Sequence, residues 1–182
     1  IASVLRDRGY HTKLIGKWHL GEPGKHGPLQ HGYDEFLGIV EGAADYFRHH
    51  MVVNNKEVGI GLARDDQGIA AGGYLTDMFG DEAVKSIEAA GDKPLFLSLH
   101  FNAPHWPWEG REDEAVAKTI ATSTNNDGGN LAKYKEMVEI MDQNVAKVLA
   151  ALERTGKAHN TLVVFTSDNG GERFSETWPF TG

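Results

Sequence analysis

Three short polar clusters of the 182-residue sequence carry residue types that bind ions and transfer protons. The first, GKWHLG, places Lys17 and His19 two residues apart. The second, NAPHWPW, contains His105, and the third, SDNGG, contains Asp168 and Asn169. A lysine with a histidine can hold an anion, a fixed histidine can donate a proton, and carboxylate and amide oxygens suit a hard cation such as Ca²⁺ or Mg²⁺.

The first cluster has a spacing that separates polar from apolar side chains. In an extended segment, Lys17 and His19 lie on one face and Trp18 lies on the other. We therefore expect Trp18 to anchor in the core while the two polar side chains reach the same pocket. The alternative is a surface loop, because a lysine, a tryptophan and a histidine in adjacent positions are costly to bury together.

The other two clusters have structural alternatives of their own. Pro104 and Pro107 restrict the backbone around His105 and so fix the direction of its imidazole, although a loop histidine packed against tryptophans has the same sequence pattern. Asp168 and Asn169 supply only two of the roughly six to eight oxygen ligands that Ca²⁺ takes. The alternative for them is an Asx-type turn, in which both side chains bond their own backbone.

Each cluster lies at the end of a segment that is predicted to be a strand. Short apolar runs bounded by glycine or proline predict these strands within residues 10–16, 93–101 and 161–171. The apolar parts of the last two are almost continuous, which is typical of strands covered on both faces in a parallel sheet. Ligands of open α/β sheets bind beyond the carboxyl ends of the strands, so we expect the three clusters to converge at one edge.

Apolar residues at helical spacing predict three helices, over residues 1–8, 76–90 and 131–154. Gly9 and Gly156 are expected to end the first and the last, and Thr76 to cap the second. The last helix carries one apolar stripe, formed by Leu131, Tyr134, Val138, Met141, Val145, Val148 and Leu152. The alternation of helices and strands predicts an α/β fold, with a mostly parallel sheet flanked by helices.

The remaining segments are predicted to be irregular, with one exception. Residues 22–38 and 111–129 are rich in glycine or polar residues and are expected to be loops. The exception is a hairpin within residues 51–59, where Asn54 and Asn55 suit the left-handed conformation of a tight turn.

The composition excludes several classes of protein. A net charge of −8 argues against general affinity for nucleic acids, which requires a basic surface. The chain has no cysteine, which excludes disulfides, zinc–thiolate sites and thiol nucleophiles within it. It also has no apolar run of the length that a membrane span requires.

Taken together, the three clusters resemble the sulfatase family of the alkaline-phosphatase-like superfamily. GYHTKLIGKWHLG is similar to the second sulfatase sequence motif nearly position for position, NAPHWPW is similar to the Pro-His-x-Pro loop of the family, and TLVVFTSDNGGE resembles its strand ending in Asp-Asn-Gly. The resemblance covers nearly the whole chain and keeps the order of the family motifs.

The resemblance implies a sulfuric ester hydrolase that uses a formylglycine made from cysteine or serine as its nucleophile, together with a divalent cation, Ca²⁺ or Mg²⁺. By the same match, Asp168 and Asn169 would be two ligands of the cation. Lys17 would contact the sulfate and the nucleophile, and His19 would hydrogen-bond the formylglycine hydroxyl. His105 would contact the sulfate and assist the departure of the alcohol.

The resemblance also implies partners and a location. The substrate would be a small-molecule or carbohydrate sulfate ester, and a formylglycine-generating enzyme would act on the parent protein. Neither a nucleic acid partner nor a membrane span is expected. Sulfatases of this kind are expected in the periplasm or outside the cell. Four aromatic residues could stack on a sugar or aryl ring, although ordinary packing is the favoured role for them: Tyr46, Trp106, Trp108 and Trp178.

The chain departs from the family pattern in ways that leave other functions open. The Cys/Ser-x-Pro-x-Arg motif, an upstream aspartate pair and a later lysine are absent from residues 1–182. We therefore expect residues 1–182 to be the central part of a sulfatase catalytic domain, with its N- and C-terminal portions missing. The alternatives are a phosphoester or phosphonate hydrolase of the same superfamily, and a non-catalytic module that binds sulfated glycans.

We predict that the 182-residue chain does not hydrolyse sulfate esters by itself, because the nucleophile motif is not in it. The measurement is a steady-state assay with an aryl sulfate in the presence of Ca²⁺. Saturable turnover by the purified chain would contradict this prediction.

Overall fold

The computed structural model describes residues 1–123, 129–171 and 178–179. Within these residues there are seven strands: β1 (His11–Gly16), β2 (Glu35–Ile39), β3 (Met51–Val53), β4 (Lys56–Val58), β5 (Leu62–Arg64), β6 (Gln67–Gly68) and β7 (Leu95–His100). The same residues form four α-helices: α1 (Ala2–Arg6), α2 (Leu75–Ala89), α3 (Glu114–Ala117) and α4 (Leu131–Arg154). Two short 3₁₀ helices complete the regular structure, at Pro28–His31 and Ala158–Asn160.

Five of the strands form one mixed sheet in the order β6-β5-β2-β1-β7. The central strand β1 runs parallel to both of its neighbours, so that Ile15 lies opposite Leu37 of β2 and Leu99 of β7. Strand β5 pairs antiparallel with β2, and β6 pairs antiparallel with β5. The predicted fold class is confirmed, since helices flank this sheet and β2, β1 and β7 are parallel to one another.

Two apolar layers cover the two faces of β1. Ile15 packs with Leu37 in the larger core cluster, which contains buried residues of α2 and α4 such as Phe79 and Met137. Leu14 points into a second cluster with Phe36 and Ala2 of α1, among others. Because successive side chains of a strand face opposite sides, a sheet covered on both faces needs such continuous apolar runs.

Strand β2 corrects the prediction that residues 22–38 are all loop. Thr12 and Asp34 exchange two hydrogen bonds at the start of the strand pair, from the Thr12 amide to Oδ2 of Asp34 (2.9 Å) and from the Asp34 amide to Oγ1 of Thr12 (3.0 Å). Partnership with β1 thus makes a strand of Glu35–Ile39. A five-residue strand beside a glycine- and histidine-rich loop has too little pattern of its own to be recognised.

Residues 161–171, which the sequence predicts to contain a strand, do not form one. Their apolar run is not a strand in the structure, and its side chains are exposed, with Leu162 at 88% and Phe165 at 77%. A strand needs a partner for its backbone hydrogen bonds, and none of the described strands pairs with this run. For a similar reason β7, expected to be covered on both faces, is half-buried, because it forms the edge of the sheet.

Helix α4 has the predicted bounds but not the predicted buried face. The bounds of α4 are confirmed, but its buried face is rotated by about one residue from the predicted stripe and is centred on Met137, Ile140 and Asn144. Asn144 is fully buried because its side-chain amide donates to Oδ1 of Asp77 on α2, at 2.8 Å. A polar residue at the centre of the interface between α2 and α4 was not visible in an apolar pattern.

The shorter elements give two confirmations and two corrections. Thr76 does not cap α2, since the helix begins at Leu75 and Thr76 is fully buried. Helix α1 is confirmed in a shorter form. The hairpin of β3 and β4 is also confirmed, with Asn54 and Asn55 at φ values of 50° and 64°. The predicted loop at 111–129 contains α3, and its residues 124–128 lie outside the described residues.

Across the described ranges, no helix combines the length and the apolarity that crossing a membrane requires.

The carboxyl ends of the three parallel strands approach each other too closely for side chains. Gly16, the last residue of β1, has φ of 118°, and a Cβ atom on it would overlap the carbonyl oxygen of His100 on β7. A Cβ atom on Gly38 of β2 would in turn overlap the carbonyl oxygen of Gly16. These glycines let β2, β1 and β7 end side by side at one rim of the sheet.

We expect Gly16→Ala to lower the free energy of unfolding by about 3 kcal/mol, the upper end of the usual range for single substitutions. The cause is the overlap with His100 together with the positive φ. Gly24→Ala is the matched control, because Gly24 also has a positive φ, of 78°, but nothing lies near its Cβ position. Its expected cost is about 1 kcal/mol. Equal losses for the two variants in urea titrations would contradict the close approach.

Candidate functional site

Lys17 is held at the rim by the last residue of β7. Its backbone amide donates to the carbonyl oxygen of His100 at 2.9 Å, and Nδ1 of the His100 ring donates to the carbonyl oxygen of Lys17 at 3.2 Å. The Lys17 side chain is half-buried. Burial lowers the pKa of its ammonium group, and the negative charge of Asp168 opposes that shift. Lys17 is therefore a partly desolvated cation next to one carboxylate.

Trp18 is the packing anchor that the sequence predicted. It is only 8% exposed and packs in the second core cluster, where its ring meets Tyr33 edge to face at 6.4 Å. Its indole N–H donates to the carbonyl oxygen of His26 at 2.9 Å. Burial of Trp18 fixes the backbone on both sides of it and so positions its two neighbours.

His19 lies at the surface and departs from the predicted extended conformation. Its φ is 55°, in the left-handed region, while its backbone amide donates to the carbonyl oxygen of Val40 at 3.1 Å, just beyond β2. The imidazole lies against Gly42, where a Cβ atom would overlap the ring. The absence of a side chain at Gly42 therefore leaves room for His19 at the rim.

His105 lies in the loop that follows β7, and hydrogen bonds fix both its backbone and its ring. Its backbone amide donates to the carbonyl oxygen of Asn102 at 2.8 Å, and Nδ1 of the ring donates to the carbonyl oxygen of Trp106, also at 2.8 Å. Since a carbonyl oxygen can only accept, the proton of the neutral ring is on Nδ1. Nε2 is then the atom that gains or loses a proton.

Charged groups of the other two clusters influence the pKa of the His105 ring. Desolvation lowers the pKa of the His105 ring, and the positive charges of Lys17 and His19 lower it further. The hydrogen bond to Trp106 and the negative charge of Asp168 act in the opposite direction. Lys17, His19 and Asp168 thus all act electrostatically on His105, although they come from other parts of the sequence. We call these four residues together the rim site.

Asn169 is adjacent to Asp168 in the chain, and its observed contacts are local. Its side-chain amide donates to the backbone carbonyl oxygen of Gly170 at 2.7 Å. The backbone carbonyl oxygen of Asn169 accepts from the Ser167 hydroxyl, also at 2.7 Å. The structure therefore gives Asn169 the backbone contact of the local-turn alternative. The amide N–H is occupied by that contact, which leaves Oδ1 as the atom that could face a cation.

The chemistry of Asp168 and Asn169 fits a hard cation in part. Both side chains offer oxygen atoms and are exposed to solvent, and both features suit Ca²⁺ or Mg²⁺. Among the residues that the structure describes, however, no group of three or more His, Asp or Glu side chains is arranged to hold a metal ion. The two residues can contribute to a cation site and do not complete one.

Residues that support the His105 loop were missed by the sequence analysis. For Tyr46 the sequence suggests packing or stacking on a sugar, but the tyrosine is fully buried and its hydroxyl donates to the carbonyl oxygen of His105 at 3.0 Å. Glu109 was not considered, although it too is fully buried, and burial raises its pKa to about 8. Its place directly after an aromatic and proline-rich run was the one available signal.

Ordinary packing, the favoured role for the aromatic residues, is confirmed for three of the four. Trp106 and Trp108 stack on each other with ring centroids 3.9 Å apart, and both are buried, as is Tyr46. Trp178 is the exception, at 81% exposed.

Comparison with curated proteins gives relatives that share one activity in their names. The chain is 32% identical over 188 residues to arylsulfatase J of Mus musculus, covering 98% of this chain and 30% of that protein. It is 30% identical over 190 residues to the N-acetylgalactosamine-6-sulfatase of Mus musculus, covering 96% and 33%. The chain thus spans about a third of the length of these relatives.

Solved structures with the same fold are similarly longer than this chain. Ps i-CgsB in complex with k-i-k-neocarrahexaose is similar with a TM-score of 0.68 and 28% identity, over 86% of this chain and 36% of that one. The PsFucS1 sulfatase from Pseudoalteromonas sp. is similar with a TM-score of 0.67 and 27% identity, over 98% and 38%.

The mixed sheet flanked by helices, with polar residues at the carboxyl rim of its parallel strands, defines a chain of the alkaline-phosphatase-like class. Within this class, the family model that matches is Sulfatase, over residues 1–180. The chain belongs to the sulfatase family.

We expect Gly42→Ala to displace the His19 ring without unfolding the protein, because the overlapping group is an exposed side chain that can rotate into solvent. The free energy of unfolding should change by no more than about 0.5 kcal/mol, as for surface substitutions in general. The ring resonances of His19 in NMR spectra should shift. Gly72→Ala is the control, since its Cβ position is open. Unshifted His19 resonances in Gly42→Ala would contradict the observed placement.

Proposed function

We propose that the protein containing these residues hydrolyses a sulfate ester, and that Lys17, His19 and His105 bind the sulfate group at the rim. The observation that carries the proposal is the electrostatic influence of Lys17, His19 and Asp168 on His105, together with that of Asp168 on Lys17. Membership of the sulfatase family supports the reaction, and the names of the relatives favour sulfate over phosphate. On this proposal, residues 1–182 are the central part of the catalytic domain.

Lys17 supplies the positive charge that a sulfate group requires. Its partial burial makes the charged ammonium less stable than in water, and a bound anion would offset that cost. Negative charge that develops on the sulfate oxygens in the transition state would be stabilised by a cation already fixed in place. The hydrogen bonds between Lys17 and His100 keep the lysine backbone in register with β7 for this purpose.

His105 supplies a proton for the alcohol that leaves. In the free protein the lowered pKa keeps its ring neutral at pH 7, with the proton on Nδ1. A sulfate anion beside the ring raises that pKa, so Nε2 takes up a proton when the ester binds. The protonated Nε2 can then donate to the ester oxygen as the bond to sulfur breaks. His19, exposed at the same rim, offers a further hydrogen bond to the anion.

The family resemblance adds two groups to this proposal, a divalent cation and a formylglycine nucleophile. Asp168 and Asn169 would hold a divalent cation, Ca²⁺ or Mg²⁺, which when bound supplies positive charge beside the sulfate oxygens. The nucleophile would be a formylglycine made by a formylglycine-generating enzyme. Residues 1–182 contain no cysteine and no serine in the Cys/Ser-x-Pro-x-Arg pattern. A sulfated carbohydrate is the proposed substrate class, supported by the name of the N-acetylgalactosamine-6-sulfatase relatives.

We predict that the 182-residue chain binds inorganic sulfate and takes up a proton as it does so. The sign follows from His105, whose pKa lies below 6.5 in the free protein and rises next to an anion. Titration calorimetry at pH 7 in two buffers of different ionisation enthalpy measures the uptake. The number of protons taken up per sulfate bound should increase as the pH falls from alkaline values toward 7.

Lys17→Met should weaken sulfate binding about tenfold, a loss of about 1.4 kcal/mol. Lys25→Met, at an exposed lysine of the following loop, is the matched control and should bind as the wild type does. Equal affinity of the two variants, or binding without proton uptake, would contradict the proposed site. Preference for phosphate over sulfate would favour a phosphoester hydrolase instead.

A further inference from the structure

One tyrosine holds both ends of the segment from His105 to Glu109. The Tyr46 hydroxyl donates to the carbonyl oxygen of His105 at 3.0 Å, and the Tyr46 backbone amide donates to Oε2 of Glu109 at 2.9 Å. Tyr46 is fully buried, so water does not compete readily for either bond. The position of the His105 backbone therefore depends on where Tyr46 lies, and Tyr46 is tied in turn to the Glu109 side chain.

A second tyrosine ties the same segment to helix α2. The Tyr74 hydroxyl donates to the backbone carbonyl oxygen of Glu109 at 2.6 Å. The rings of Tyr46 and Tyr74 are stacked with centroids 5.3 Å apart, and the Leu75 amide at the start of α2 donates to the carbonyl oxygen of Tyr46 at 2.9 Å. The loop that carries His105 is thus clamped against a rigid helix.

The Glu109 carboxyl group has no cation of its own in this clamp. Its Oε1 atom is buried and finds no hydrogen-bond partner among the described residues. The nearby Asp45 is also fully buried, and it takes the charge of Arg48 through a contact of 3.2 Å between Oδ2 and Nε. The Phe47 and Arg48 amides donate to Asp45 as well. The Arg48 guanidinium therefore interacts with both buried acids, Asp45 directly and Glu109 through its charge.

The other charged groups that the structure describes around Glu109 supply no cation that is free to pair with its carboxyl group. Asp113 raises the pKa of Glu109 and is itself paired with Lys133 at 2.7 Å. Lys133 also pairs with Glu136 of α4 at 2.6 Å, so its charge is shared between two acids. Burial, followed by Asp45, raises the pKa of Glu109 to about 8, against the bond from the Tyr46 amide and the charge of Arg48. At pH 7 the carboxyl group is neutral.

We propose that Glu109, as a neutral carboxylic acid, is a positioning residue for His105 and acts on it through Tyr46. Loss of its proton strengthens the bond to the Tyr46 amide but places a second charged, buried carboxylate beside Asp45 with no further cation in the described part of the chain. Repulsion from Asp45 and hydration of the new charge draw the Glu109 side chain away, so the clamp loosens and His105 moves from the rim. The inference rests on the proposed function only in taking His105 to be a site residue. It makes the site sensitive to pH on the alkaline side, where His105 itself has already lost its proton.

The test is the NMR signature of the His105 ring in the 182-residue chain, assigned with the variant His105→Gln. Long-range ¹H–¹⁵N spectra report whether Nδ1 carries the proton. In the wild type we expect the Nδ1–H pattern at pH 7 and its loss with a midpoint near pH 8. The isosteric variant Glu109→Gln should keep the pattern through that range, because its amide does not ionise. Identical pH profiles of the wild type and Glu109→Gln would overturn the proposal.

A pair of tyrosine variants tests the connection through Tyr46. Tyr46→Phe removes the hydroxyl that holds His105 and should lose the Nδ1–H pattern already at pH 7. Tyr33→Phe is the matched control, since it removes a hydroxyl that contacts Ser98 at 2.9 Å, and should keep the pattern. An unchanged pattern in a folded Tyr46→Phe would overturn the proposal. Should Tyr46→Phe fail to fold, the comparison of Glu109→Gln with the wild type decides.

The ring measurement needs neither sulfate nor turnover, so it separates this inference from the proposed function. Sulfate affinity is measured on the same samples, and Tyr46→Phe should weaken it several-fold while Tyr33→Phe leaves it unchanged. Absence of sulfate binding in the wild type with the expected ring profiles would refute the anion site and support the clamp. Sulfate binding with pH-independent ring profiles would do the reverse.

Discussion

The parallel alignment of β1 between β2 and β7 is the constraint on which the rest of the structure depends. It ends three strands at one rim, and the glycines at two of these ends allow the backbones to approach without side chains between them. Lys17 leaves β1 at this rim, and the loop of His105 leaves β7 there. Without that alignment, groups separated by about 90 residues of chain would have no reason to share one electrostatic environment.

The electrostatics of the rim combine desolvation with the influence of nearby charges. Lys17 and His105 both have lowered pKa values, chiefly through desolvation, and the Lys17 charge adds to the shift of His105. Asp168 opposes both shifts. A partly buried lysine is costly unless it is paired, and on the proposed function a bound anion would offset that cost. On the same proposal, the contacts of Tyr46, Tyr74 and Glu109 would fix the position of the His105 loop that the anion meets.

The sequence predicted the features that arise from local pattern or from motif. Strand β1, helix α4 and the anchoring of Trp18 each have a periodicity or spacing that local physics explains. Features that arise from partnership were not predictable. Residues 35–39 become a strand because β1 lies beside them, whereas residues 161–165 have strand-like composition but no partner among the described strands. Buried polar groups such as Glu109 follow the same rule, since only the fold supplies their neighbours.

On the proposed function, one anion binds among Lys17, His19 and His105. Crystals of the 182-residue chain soaked in selenate, an anion of the same shape as sulfate with an anomalous scatterer at its centre, would locate it. We predict an anomalous peak within hydrogen-bonding reach of Lys17 Nζ and His105 Nε2, on the side toward Asp168. A selenate bound elsewhere on the surface, with the rim empty and these side chains facing apart, would contradict it.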